Sequence, residues 1–145
     1  MGVYSGQRRG DLLQLNLPDL RRFVQSTLAT YPEVAGAYLF GSALEFVRST
    51  SDIDLGLIVR PGVEAPECLA NRVESTLGHY GPHPFQVTLL RPEETSFTFR
   101  VLRDGNLVYL ADPLYVTDLI EAVGRKHDDL APFLHTFYAA LGVDL

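Results

Sequence analysis

Asp52 and Asp54 bracket one isoleucine in Ser51-Asp52-Ile53-Asp54-Leu55, and Gly41-Ser42 ends an apolar run with nine residues, Ala43 to Ser51, between it and Asp52. Residues two apart on a strand project from one face, with alpha carbons about 6 to 7 Å apart. Two carboxylates held that way repel each other, and a divalent cation relieves the repulsion. Mg²⁺ commonly takes one or two carboxylates and completes its octahedron with waters and substrate phosphates. The Gly-Ser pair supplies what the metal half lacks. Glycine lets backbone N–H groups approach a phosphate closely, serine adds a hydroxyl donor, and a helix starting there favours negative charge. Arg48, in the intervening segment, adds a charge-assisted donor within reach of the same phosphates. Each half alone also fits a turn with exposed acids; at the ends of two consecutive strands they read as two parts of one phosphate-and-metal site.

The surrounding pattern predicts the elements that position these groups. Leu17, Leu20, Phe23, Val24 and Leu28 recur at helical spacing behind Asn16 and Pro18, which predicts a helix over about Pro18 to Thr30. A strand is expected from Ala35 to Phe40, turning at Gly41-Ser42 into a helix. "SDIDLGLIV" alternates: Ile53, Leu55, Leu57 and Val59 face one way, Asp52, Asp54, Gly56 and Ile58 the other, and Arg60-Pro61-Gly62 ends it. Gly56, without a side chain, is expected to leave room for substrate. Pro66 to Leu77 reads as a helix closed by Gly78, and "PFQVTLL" as the next strand. Pro92-Glu93-Glu94 is expected to start a helix that Asp104-Gly105 ends, before a strand over Leu107 to Leu110. Beyond Asp112-Pro113 lies a helical tail, divided at Pro132. Alternating helices and short strands give an α/β (α+β) fold, a small mixed sheet with helices packed on it. Residues 1–145 read as one domain, with 1–16 expected to be flexible and 112–145 as the helical tail.

Composition narrows the function. A chain of 145 residues, 46% of them hydrophobic, has room for one real core. Its formal net charge of −6 speaks against broad nucleic-acid binding, which needs a concentrated basic surface. Arg8-Arg9 and Arg21-Arg22 are expected to be solvated. No run suits a membrane span, and the first residues lack the apolar core of a signal peptide, so a cytoplasmic protein is expected. The single cysteine, Cys68, has no ligand set around it and is expected to be partly buried. His79, His83, His127 and His135 are irregularly spaced and read as surface or packing residues.

Gly41-Ser42, Ser51 to Leu55 and the later "VLRDGNLVYLAD" resemble the minimal nucleotidyltransferases of the DNA polymerase beta superfamily, over about Phe23 to Tyr109. The tail is similar to that of the MntA-like antitoxins. The resemblance implies that Asp52 and Asp54 are catalytic and bind Mg²⁺, and that Gly41, Ser42, Arg48, Ser51 and Gln86 contact ATP. AMP would then pass to a hydroxyl, a tyrosine of a HEPN-type toxin partner. Where the family places a third carboxylate, the matching residue is Gln86, with Thr88 on the same face; neither ionises to serve as a base. A second reading follows: a nucleotide-binding antitoxin or interaction module that acts by contact alone. A metal-dependent nuclease would need more carboxylates than the segment supplies. Homo-oligomerisation is left open.

Overall fold

The computed structural model describes residues 12–14, 17–41, 46–48 and 52–127. In chain order these form β1 (Leu12–Gln14), α1 (Leu17–Leu28), β2 (Val34–Phe40), β3 (Phe46–Arg48), β4 (Ile53–Val59), α2 (Pro66–Leu77), β5 (His79–Tyr80), β6 (His83–Leu89), α3 (Thr95–Asp104), β7 (Asn106–Leu110) and α4 (Pro113–His127). Five strands make one mixed sheet in the order β5-β6-β4-β2-β7. β4 runs antiparallel to β2 and parallel to β6, and α2 supplies the crossover that a parallel pair requires.

Helices cover both faces. On one, Leu20, Val24 and Leu28 of α1 recur at the helical spacing and, with Leu69, Val73 and Leu77 of α2, bury Ala37, Leu39, Ile53, Leu55 and Leu57. On the other, Val101 and Leu102 of α3 and Val116, Ile120 and Val123 of α4 pack on Ala35, Tyr38 and Ile58. Polar ties fix the helices against the sheet. Arg21 and Gln25 of α1 donate to the Leu107 and Val108 carbonyl oxygens at 2.9 and 3.0 Å, so Arg21 is a tether rather than solvated charge. Arg60 donates to the Pro32 carbonyl oxygen at 2.8 Å and pairs with Asp112, which also accepts the Tyr115 N–H at 3.1 Å at the start of α4.

Several expectations need correction. The segment after Gly41 was expected to enter a helix, yet Phe46–Arg48 is a strand paired antiparallel with Leu12–Gln14. α3 begins at Thr95, not at Pro92. The preceding residues form a turn that Thr98 closes by donating from Oγ1 to the Arg91 carbonyl oxygen at 2.7 Å. Cys68 is exposed, because it falls outside the α2 stripe of Leu69, Ala70, Val73 and Leu77. His83, by contrast, is fully buried, in keeping with the packing role expected as one of its two options. The tail beyond His127, with Pro132 and His135, lies outside the described residues. Among those residues, no helix is long and apolar enough to cross a membrane.

Candidate phosphate and metal site

Asp54 lies near the start of β4, where it is the register partner of Phe40 on β2 and of Gln86 on β6. Adjacent strands lie about 4.8 Å apart, so Gln86 is the nearest cross-strand neighbour of Asp54 on the β6 side. Asp52 precedes the strand and is exposed, Asp54 is half-buried and Gln86 is exposed. This is a wet rim on an otherwise covered sheet.

Gly41 directly follows β2, beside Asp54. Its φ is +85°, in the region that side chains rarely adopt, and a Cβ built on it would stand 2.6 Å from Asp54 Oδ2. Two constraints therefore coincide at one residue: the turn needs a left-handed backbone, and the carboxylate occupies the space a side chain would need. The Gly41 backbone and the Asp54 carboxylate are in direct reach of each other.

The electrostatics fit a cation. Partial burial raises the Asp54 pKa, and the nearby Asp52 carboxylate raises it further. Among the described residues no group of three or more His, Cys, Asp or Glu could cage an ion. Two neighbouring carboxylates at a wet rim suit Mg²⁺, which keeps waters and takes substrate phosphates, and do not suit a closed structural zinc site.

The structure thus brings together Gly41, Asp52, Asp54 and Gln86. Arg48 lies on β3, and Ser42 and Ser51 fall outside the described residues. Gly56 corrects its expectation. A Cβ there would meet Leu90 Cδ1 at 2.9 Å, so Leu90 fills the space expected for substrate. Glu93 and Glu94 precede α3 instead of forming its first turn.

One feature escaped sequence reasoning. A cleft of about 240 Å³ opens beside Gly41, between the end of β2 and α3, lined by Phe40, Gly41, Phe97, Arg100, Val101 and Asp104. Phe40 adjoins Gly41 in sequence, but the α3 residues join it only through tertiary packing. Phe40 and Phe97 meet edge-to-face, with centroids 5.6 Å apart and planes at 79°.

The family model described as Polymerase beta, Nucleotidyltransferase matches residues 23–114. Among solved structures, a chain of a toxin-antitoxin crystallised with AMP-PNP is 16% identical, with a TM-score of 0.52 over 83% of this chain and 94% of that one. A chain of a mutant MntA-HpeT toxin-antitoxin is 17% identical, with a TM-score of 0.52 over 88% of this chain and 95% of that one. At such identities the likeness is one of fold. No curated protein matches the chain.

Proposed function

The chain belongs to the polymerase beta nucleotidyltransferase family, and from that premise we propose that it transfers AMP from Mg²⁺-bound ATP to a hydroxyl on a protein partner. The observation that carries this reading is the 2.6 Å approach of the Gly41 Cβ position to Asp54 Oδ2, which joins the phosphate-holding turn to the carboxylate pair. Asp52 and Asp54 would hold Mg²⁺, which when bound neutralises the phosphates and orients the substrate.

The chain's own residues do the rest. The Gly41 turn, with Ser42, binds the triphosphate through N–H and hydroxyl donors. The acceptor oxygen bonds to the α-phosphorus, the bond from that phosphorus to its bridging oxygen breaks, and pyrophosphate leaves. Gln86 hydrogen-bonds the incoming hydroxyl without taking its proton, which passes to solvent. Positioning supplies most of the acceleration, and the absence of a general base costs on the order of 10²- to 10⁴-fold.

The acceptor in this reading is a tyrosine of a HEPN-type toxin, and the chain is its antitoxin. The fold shared with a chain of a toxin-antitoxin crystallised with AMP-PNP supports that role. One observation favours a second reading, in which the chain neutralises its partner by binding alone: Gln86 is the residue in register with Asp54.

One assay separates the two. The chain is incubated with α-labelled ATP, Mg²⁺ and the protein encoded beside it. Transfer predicts label on a partner tyrosine, lost in the Asp52→Asn/Asp54→Asn variant. An unlabelled partner, bound and inhibited equally by both forms of the chain, selects contact alone.

A further inference from the structure

We propose that the cleft between β2 and α3 takes the nucleoside of the triphosphate, with Phe97 as its stacking wall and Arg100 as the cation at its mouth. This rests on the reading of the Gly41–Asp54 rim as a nucleotide site, and it assigns the part of the substrate that neither the Gly-Ser turn nor the aspartate pair recognises.

Three observations converge on that assignment. The first is position. Gly41 lines the cleft and also touches Asp54, so phosphates held at the turn place the rest of the nucleotide at the cleft's entrance. The second is wall chemistry. Phe40, Phe97 and Val101 give apolar sides, which suit a flat aromatic ring and not a phosphate chain. Because Phe40 and Phe97 meet edge-to-face, their contact leaves a ring face uncovered by its partner. The third is charge. Asp104 accepts from Arg103 through both carboxylate oxygens, at 2.8 and 2.9 Å. Arg100, exposed one turn earlier on α3, lines the same cleft and, with Arg103, helps hold the Asp104 carboxyl below its ordinary value, so the cleft carries a cation whose guanidinium offers donors to a bound ligand.

Size and direction exclude the other parts of the reaction. At about 240 Å³ the cleft lies just below the range of about 300 to 1,000 Å³ typical of pockets for whole drug-sized ligands, so it suits one ring system. An in-line displacement brings the acceptor from the side opposite the departing phosphates. With those phosphates at Gly41, the acceptor approaches from the Gln86 side, away from the cleft.

The test compares a ligand that has a nucleoside with one that lacks it. Dissociation constants for Mg·ATP and for Mg·tripolyphosphate are measured by calorimetry on the full chain and on Phe97→Ala, Phe97→Leu, Arg100→Ala and Asp52→Asn/Asp54→Asn. Stacking of a base on an aromatic ring predicts that Phe97→Ala weakens Mg·ATP by between about 5-fold and about 150-fold while Mg·tripolyphosphate changes by less than about 2-fold. Phe97→Leu retains most of the packing volume and is expected to lose most of the same selectivity. Arg100→Ala, at an exposed position, is expected to weaken Mg·ATP by about 5-fold or more with its fold intact.

Equal weakening of both ligands by Phe97→Leu and Arg100→Ala would show that the cleft serves phosphate, and would overturn the proposal. Unchanged ATP affinity in both variants overturns it as well. The aspartate variant tests the reading beneath it. If that variant binds both Mg²⁺ ligands as tightly as the unaltered chain, the rim is not a phosphate-and-metal site, whatever the cleft variants do.

Discussion

The two ends of one row on β4 behave in opposite ways. Asp54, Gly56 and Ile58 project to the same side of the strand, yet Asp54 is half-buried at a wet rim while Gly56 and Ile58 are sealed. The difference lies in what is packed above them. Leu90 lies over Gly56, and α3 and α4 close over Ile58, whereas Asp54 has Gly41 on one side and exposed Gln86 in register on the other. One strand thereby carries a sealed segment and a wet one. Its opposite face, Ile53, Leu55 and Leu57, is dry throughout and holds both in place.

The largest expected effect comes from that dry face. Leu55 has no exposed surface, and Leu55→Ala removes buried methyl groups and leaves a cavity beneath the carboxylate row. It is expected to cost about 2 to 5 kcal/mol, a large share of the roughly 5 to 15 kcal/mol by which a domain is stable. Chemical denaturation reads this directly, and a loss below about 1 kcal/mol would mean that the row does not depend on the packing behind it. At the wet end the loss should be functional. Asp52→Asn/Asp54→Asn is expected to lower labelled-nucleotide transfer by at least about 10²-fold, since it removes preorganised charge at the reacting centre. Its thermal midpoint should not fall; a parallel loss of stability would make the aspartates structural.

Gly56→Ala probes the boundary between the two ends. The added methyl meets Leu90 Cγ and Cδ1 at 2.9 Å, and Leu90 is itself buried. Overpacking of this kind costs about 1 to 3 kcal/mol. If Gly56→Ala retains full stability and instead blocks ATP binding in calorimetry, the space above Gly56 belongs to the site, and the division drawn along the row is misplaced.

How much of this arrangement is legible in the sequence follows from how local each cause is. The alternation of β4 and the limits of α2, Pro66 to Leu77, rest on near-neighbour periodicity and on Pro66 and Gly78, and the structure has both. The nearness of Gly41 to the aspartates is suggested by a spacing. The contact that joins them, Gly41 against Asp54, requires the antiparallel register of β2 and β4, which sequence leaves open. The sealing of Gly56 by Leu90 was missed because that leucine comes from beyond the far end of β6. The start of α3 was misplaced because Pro92 and two acids imitate a helix N-terminus, whereas Thr98 ties that stretch into a turn. Phe97 and Arg100 carried no local signal. Their relation to Gly41 exists only once α3 lies on the sheet.

The smallest effect concerns the charge on Asp54 itself, and its sign separates a catalytic rim from a structural ion pair. Partial burial, and then the Asp52 carboxylate, raise the Asp54 pKa above its ordinary value. The folded state therefore holds this proton to higher pH than the unfolded chain does. Linkage then requires metal-free stability to fall as pH rises from the ordinary aspartate value through the raised one. Asp54→Asn removes the ionisation, so above that window its thermal midpoint should exceed that of the unaltered chain, and the gap should close as the solution is acidified below the ordinary value. Mg²⁺ should narrow the gap from the other side by stabilising only the chain that keeps both carboxylates. A carboxylate held by a cationic partner would give the reverse: Asp54→Asn would then lower the midpoint at neutral pH. A midpoint raised by Asp54→Asn, together with transfer lost in the double variant, is the behaviour of a residue kept for chemistry at some expense to the fold.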